Sequence, residues 1–337
     1  MSGRPSASNT DMKVPSMTVS RTHRRLALIL GGLVLLGTAG PDALAGAPAG
    51  TSRFFHTGDG WIHMASRKNG AVFTGRYRRA DGRYDPEALK ALHRVFDAPY
   101  RPERPLISLR LIEYLDHLED AMKPGARITI TSGYRSPAYN RQVRQGGGLA
   151  AQASLHQYGM AADLVMAGVP SREIWERVKT LQFGGTGYYQ GESVHIDVGP
   201  ARSWDQNTSG VGTGISDDNQ LIGLVTDYDV YPQESVVILR FIRMTAFPIG
   251  VAAGFELRRC SPAGAILAAH PFQPQFDVPT AGDCLHLADI DQMAYIRWRL
   301  PAGLKPGRYD ILARFCDPRR KNMPATVITP PFEITRP

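Results

Sequence analysis

Three side chains of metal-binding type lie in two short segments, and this arrangement restricts the fold more than any other feature of the sequence. Residues 154–163 contain His156 and Asp163, and residues 192–197 contain His195. Two imidazoles and one carboxylate can hold a zinc ion and leave its fourth position for water, as a catalytic zinc site requires. A fold that uses the three together must place the two segments side by side.

Two predicted strands explain how the segments can meet. Residues 160–166 and 193–199 have the pattern of short strands. His195 and Asp197 are two positions apart, so their side chains leave the same face of the second strand. Asp163 lies in the first strand. Pairing of the two strands would therefore bring the candidate ligands to one point.

The first 45 residues are predicted to be a cleaved export signal. Arg24 and Arg25 precede an apolar run at 26–36, and residues 43–45 have the A-x-A form of a cleavage site. The alternative, a membrane anchor, needs roughly 18 to 20 apolar residues, and this run is shorter. The arginine pair leaves twin-arginine and general export both open. No integral membrane span is expected after removal of the signal.

Charge and cysteine content narrow the classes of partner. The signal holds five of the 39 basic and two of the 31 acidic residues, which leaves the mature chain at about +5. This balance suits a polyanionic surface such as a cell wall without specifying it. No arginine-rich stripe is interleaved with aromatic residues, so no nucleic-acid partner is predicted. Cys260, Cys284 and Cys316 permit one disulfide in an exported chain, with three pairings open.

The mature chain is predicted to consist of an α+β domain followed by an all-β domain. Residues 46–205 mix a few helices with strands, and residues 183–189 are expected to form a glycine-rich turn. Residues 206–219 have the composition of a linker. Residues 220–337 contain short alternating strands separated by Pro/Gly turns, which predict an immunoglobulin-like β-sandwich accessory domain.

The motifs resemble those of the zinc D-Ala-D-Ala peptidases, whose fold is shared with the hedgehog signalling domain. The similarity is carried by Ser154-x-His156-x-x-Gly159-x-Ala161-x-Asp163 and Glu192-x-x-His195, by Ser132-Gly-Tyr134-Arg135-Ser-Pro137-x-x-Asn140, and by Val194-His195-Ile-Asp197-x-Gly199-x-x-Arg202-x-Trp204. The last two motifs are most similar to the branch of murein endopeptidase K. The resemblance covers roughly residues 106–205 and implies a hedgehog/DD-peptidase-like zinc domain there.

The resemblance also implies a role for individual residues. His156, Asp163 and His195 would bind one zinc ion. Glu192 would be the base that deprotonates the zinc-bound water and then protonates the leaving amine. Arg135 would face the substrate, because a developing oxyanion or a peptide carboxylate needs a fixed positive partner.

Several of these roles have alternatives. Ser154 and Tyr134 are candidates for substrate binding or for support of the ligands. Arg135 could instead form a structural salt bridge. Asp197 either orients an imidazole or acts as a substitute base. Glu192 departs from the murein endopeptidase K branch, which often lacks an acidic residue there, so either Glu192 is the base or it lies on a loop and the base is elsewhere.

The sequence thus predicts an exported zinc metallopeptidase, periplasmic or secreted, that hydrolyses peptidoglycan stem peptides or their cross-links. One alternative is a non-catalytic cell-wall-binding or interaction protein that retains a structural zinc. Another is a zinc peptidase with a non-murein peptide substrate. The sequence selects neither the bond that is cleaved nor an oligomeric state.

Overall fold

The computed structural model describes residues 52–147, 150–277, 282–293, 295–317 and 320–336. The predicted export signal, residues 1–45, lies outside them. No helix within these ranges has both the length and the apolar character needed to cross a membrane.

A mixed seven-stranded sheet forms the centre of the N-terminal part. Its strands are β1 (Trp61–Ser66), β2 (Val72–Arg76), β3 (Ile128–Ser132), β4 (Ala161–Met166), β5 (Gly185–Tyr188), β6 (Val194–Asp197) and β7 (Arg202–Asp205). They lie in the order β2-β1-β3-β4-β6-β5-β7. The helices are α1 (Pro86–Val95), α2 (Leu109–Met122), α3 (Pro137–Gln145) and α4 (Ser171–Leu181). This arrangement confirms the α+β prediction.

Local sequence signals explain where the helices begin and which faces they bury. Asp85 caps α1 by accepting hydrogen bonds from the backbone N–H groups of residues 87 and 88, and Pro86 occupies the first turn. On α2, Leu111, Leu115 and Leu118 recur at helical spacing and are buried in the same core as the strands of the sheet.

The expected glycine-rich turn at 183–189 is wrong in part, because residues 185–188 form strand β5. The strand pairs antiparallel with β6 and parallel with β7. A Cβ atom on Gly185 would lie 2.4 Å from the Asp197 carboxylate, and one on Gly187 would lie 2.5 Å from the Trp204 ring. The glycines therefore permit close approach of neighbouring side chains rather than a turn.

The C-terminal part is rich in β-strands, as predicted. The strands are β8 (Gly223–Thr226), β9 (Val230–Pro232), β10 (Val236–Ile242), β11 (Ile249–Ala252), β12 (Phe255–Cys260), β13 (Ile266–Phe272), β14 (Cys284–Leu287), β15 (Ile296–Arg299), β16 (Gly307–Asp317), β17 (Thr326–Ile328) and β18 (Phe332–Thr335). A three-stranded sheet has the order β15-β10-β8, and a larger sheet has the order β13-β12-β16-β11-β14 with β17, β18 and β9 attached. Of the three cysteine pairings left open, the structure contains Cys284–Cys316, and Cys260 is buried with a free thiol.

Buried polar contacts join the C-terminal strands to the α+β part. Arg110 on α2 forms an ion pair of 2.8 Å with Asp229, and both side chains are almost fully buried. The Tyr158 hydroxyl accepts a hydrogen bond of 2.9 Å from the backbone N–H of Met244, two residues after the end of β10. These contacts place the end of β10 close to the segment that carries His156.

Candidate metal centre

His156, Asp163 and His195 come together where β4 and β6 pair. Asp163 lies directly opposite His195 in the antiparallel register of these strands. His156 lies in a short 3-10 helix, Leu155–Tyr158, which ends at Gly159 just before β4. One nitrogen or oxygen donor atom of each side chain lies within 4.8 Å of the other two. The predicted convergence is therefore present in the structure.

The distances among the three donor atoms suit a tetrahedral ion. His195 Nδ1 lies 2.9 Å from Asp163 Oδ1 and 3.3 Å from His156 Nε2, and the remaining distance, from His156 Nε2 to Asp163 Oδ1, is 3.5 Å. Ligand atoms about 2.0–2.1 Å from a tetrahedral zinc ion are about 3.3–3.4 Å apart. The geometry thus fits zinc with small adjustments.

Hydrogen bonds on the outer side of each imidazole fix which nitrogen faces the cluster. His156 Nδ1 donates to the backbone carbonyl of Gly133 at 2.7 Å, which leaves the Nε2 lone pair for a metal. His195 Nε2 donates to Asp197 Oδ2 at 2.9 Å, so Nδ1 is the nitrogen of this ring that faces the cluster. His156 Nε2 and His195 Nδ1 are therefore the nitrogens that a metal ion would bind, and on His195 the ion would replace the proton that Nδ1 shares with Asp163.

Asp197 is fully buried and saturated with donors. Its Oδ1 atom accepts hydrogen bonds from the backbone N–H groups of Gly185 and Gly199, and both of its oxygens accept from Arg202, at 3.0 and 2.6 Å. With the bond from His195, every neighbour of this carboxylate is a donor. Asp197 is thus placed to hold an imidazole and has no exposed oxygen to offer to water.

Burial and charge oppose each other in setting the pKa values of the cluster. Burial lowers the pKa of His156. Burial alone would also lower the pKa of His195, but hydrogen bonds to Asp163 and Asp197 raise it to about 9. Burial alone would raise the pKa of Asp163, yet the two imidazoles hold it well below its usual range. The Asp163 carboxylate therefore stays ionised, as a ligand of a metal cation must be.

Arg135 and Glu192 line the same cleft but differ in their surroundings. Arg135 Nη2 donates to Asp163 Oδ2 at 3.0 Å and to the Ser132 hydroxyl, which is the salt bridge that the sequence left as an alternative. Glu192 lies at the cleft rim with 79% of its side chain exposed, 3.2 Å from Arg67. Its carboxylate does not belong to the cluster of His156, Asp163 and His195.

The two remaining candidates separate. Ser154 is buried and lines the cleft next to His156. Tyr134 is half-buried, and its backbone N–H donates to the carbonyl of Phe96. Tyr134 packs against the hydrophobic core and is not among the described residues that line the cleft.

The cleft has a volume of about 830 Å³ and extends beyond the α+β part. One wall comes from the segment predicted as a linker, through Thr208, Ser209, Gly210, Val211 and Ile215. Arg243, which follows β10, lines the cleft as well. Sequence reasoning gave no role to Arg202 or Arg243. Arg202 was visible in a quoted motif, whereas nothing in the local sequence distinguishes Arg243.

The part of the chain that carries the candidate metal centre is similar to known proteins. Residues 57–204 match the family described as peptidoglycan L,D-endopeptidase MepK. The peptidoglycan L,D-endopeptidase MepK of Escherichia coli strain K12 is 32% identical over 184 residues, which cover 54% of this chain and 97% of that protein. The Shigella flexneri protein of the same name has the same identity and coverage. The probable peptidoglycan L,D-endopeptidase MepK of Haemophilus influenzae is 38% identical over 80 residues, 23% of this chain and 43% of that protein.

Proposed function

Because this chain belongs to the family of peptidoglycan L,D-endopeptidase MepK, a family of zinc metallopeptidases, we propose that it is an exported enzyme that hydrolyses L,D bonds in peptidoglycan cross-links. As a metallopeptidase it is a hydrolase, which leaves the non-catalytic wall-binding alternative without support. The names of the relatives favour the L,D bond among those that the sequence left open.

The observation that carries the proposal is the convergence of His156, Asp163 and His195, with the outward-facing nitrogen of each imidazole held by an acceptor. These three side chains would hold one zinc ion. When bound, zinc polarises water and a peptide carbonyl and so supplies both the nucleophile and part of the charge stabilisation. Asp197 keeps the His195 ring oriented for this task.

Glu192 is proposed as the proton carrier. It is the exposed carboxylate at the cleft rim, and its partner Arg67 is itself about half exposed, so the pair can open when a peptide enters. A base in this position accepts the proton released as water attacks the peptide carbonyl and returns it to the leaving amine. Asp197 is a poor alternative because all of its neighbours already donate to it.

Arg135 is proposed to hold Asp163 in place and to face the substrate across the cleft, and Ser154 to line the peptide path. Tyr134 would support the site only indirectly, through the core. We further propose that residues 46–205 form a catalytic domain with the hedgehog/DD-peptidase fold and that 206–219 connect it to an immunoglobulin-like sandwich at 220–337. The signal at 1–45 would direct the protein to the periplasm or the exterior.

Digestion of purified sacculi by the zinc-loaded mature protein tests the proposal. Mass spectrometry of the released muropeptides should find products of cleavage at L,D bonds and intact D,D cross-links. Glu192→Gln should remain folded and bind zinc but release products at least about 10²-fold more slowly, whereas Glu176→Gln, which removes an exposed charge on α4, should act like the wild type. A zinc-loaded wild type that leaves sacculi intact but cleaves an ordinary peptide would favour the non-murein alternative.

A further inference from the structure

The arginines that line the cleft differ in whether the protein neutralises them. Three are ion-paired with carboxylates of the chain: Arg67 with Glu192 at 3.2 Å, Arg135 with Asp163 at 3.0 Å and Arg202 with Asp197 at 2.6 Å. Arg243 is different. Its Nε atom is buried without a hydrogen-bond partner, and within the described residues its guanidinium has no ion pair.

Arg243 lines the cleft although it lies outside residues 57–204, the part of the chain that matches the family. That region ends at residue 204, whereas Arg243 follows the last residue of β10. Its backbone adopts φ +61, in the left-handed region that residues with a side chain rarely occupy. The next residue, Met244, is tied to the Tyr158 hydroxyl, two residues after the candidate ligand His156. The turn is therefore fixed against the catalytic part.

The position is electrostatically unfavourable without a further partner. Burial, and next to it the charge of Arg202, lower the pKa of Arg243 to about 10, so the group stays cationic at neutral pH. Asp197 is near enough to attract Arg243 but is already shared by Arg202 and His195. A partly buried cation without a counter-charge costs free energy that an anionic ligand would recover.

The apolar lining of the cleft that Arg243 shares indicates what kind of anion fits there. Ile215, a half-exposed apolar side chain, and Val211 line the same cleft. Inorganic anions gain nothing from such surfaces, whereas a peptide offers aliphatic carbons beside its carboxylates. Peptidoglycan stem peptides carry several carboxylates on short aliphatic side chains. A planar guanidinium matches a carboxylate through two parallel hydrogen bonds.

We propose that Arg243 binds a carboxylate of the peptidoglycan stem peptide and so determines which peptides the cleft accepts. The proposal rests on the proposed function, since it takes the substrate to be a peptidoglycan peptide. It assigns to the C-terminal part a direct share in substrate recognition.

Binding of a stem tetrapeptide to the full-length, zinc-loaded mature protein tests this proposal by calorimetry. Three analogues, each with one carboxylate replaced by a carboxamide, identify the group that is recognised. One analogue should bind the wild type at least about tenfold more weakly than the tetrapeptide. Arg243→Ala should bind the tetrapeptide as weakly and should not distinguish that analogue, and Arg243→Lys should keep part of the preference.

Arg299→Ala is the matched control, because it removes an exposed arginine of β15 that is not among the residues lining the cleft. It should bind all four peptides like the wild type. The proposal is overturned if the wild type binds no tetrapeptide, if it binds all analogues equally, or if Arg243→Ala keeps the wild-type preference. Digestion of sacculi by the wild type tests the proposed function separately. If the wild type digests sacculi and Arg243→Ala binds the peptides like the wild type, the inference about Arg243 is refuted and the proposed function is not.

Discussion

Replacing Asp197 with asparagine should weaken metal binding, and the hydrogen bonds of Asp197 explain why. Both oxygens of the carboxylate face donors only: two backbone N–H groups and Arg202 on one side, His195 and Arg202 on the other. An asparagine must point its NH2 group at one of these sets. If it faces His195, the imidazole must move its proton to Nδ1, and the lone pair that the metal needs is lost.

Asp197→Asn should have two effects, one on the affinity for zinc and one on the stability of the fold. Loss of an outer hydrogen bond to a metal-binding histidine typically lowers affinity about 10- to 100-fold, or about 1.4–2.8 kcal/mol. Asp197 is fully buried and Arg202 mostly so, and breaking such an ion pair costs about 3–5 kcal/mol of folding stability. We therefore expect both weaker zinc binding and a lower free energy of unfolding for Asp197→Asn.

Competition with a chromogenic chelator measures the zinc affinity, and urea titration of the zinc-free protein measures stability. Excess zinc should restore part of the activity of Asp197→Asn if the carboxylate only orients His195. Asp205→Asn serves as the control, because Asp205, the last residue of β7, accepts from the backbone N–H groups of Asn207 and Thr208 and from no histidine. Wild-type zinc affinity in an inactive Asp197→Asn protein would contradict this reasoning and favour Asp197 as the base.

Three further predictions concern the base, the pH dependence of stability and a constrained turn. Glu192→Gln should lower kcat about 10²- to 10⁴-fold in muropeptide assays at unchanged zinc content, and an equal loss in Glu176→Gln would argue against a specific role. Burial raises the pKa of Asp116 to about 8, above its unfolded value of about 3.9, so its contribution to stability is full at low pH and is lost as the pH rises through 8. In urea titrations, Asp116→Asn should gain about 2–3 kcal/mol relative to the wild type between pH 5 and 7, and a constant difference would refute the shift. Gly159→Ala should lose at least about 2 kcal/mol of stability, because its backbone has φ +61 and a Cβ atom would lie 1.9 Å from the Leu106 carbonyl oxygen; an unchanged melting temperature would exclude that constraint.

Local sequence was sufficient to predict the elements that carry the candidate ligands. Alternation and side-chain direction predicted strands at 160–166 and 193–199, and β4 and β6 occupy most of those ranges. A two-residue spacing puts His195 and Asp197 on one face in any strand, and the two side chains are in contact. That the converging side chains bind zinc stays a prediction.

Features that depend on distant parts of the chain were not predictable in the same way. Glycines at 185 and 187 suggested a turn because glycine is frequent in turns, but here they make room for Asp197 and Trp204 from neighbouring strands. Polar composition at 206–219 indicated a linker but could not indicate that residues 208–211 lie along the cleft. The local sequence does not distinguish Arg243 from the other arginines, and only the fold shows that Arg243 lines the cleft.

The charges of the arginines that line the cleft connect the α+β part with the C-terminal part. Among the described residues, each cleft arginine within the family's matched region is balanced by a carboxylate, so that region supplies little unneutralised charge for an acidic peptide. The unbalanced cation comes from the C-terminal part. That part is also bound to the catalytic one by Arg110–Asp229, a buried ion pair whose separation would leave a charge unpaired. The C-terminal part therefore lines the cleft through Arg243, and on our proposal it takes part in substrate recognition rather than serving as a separately attached binding module.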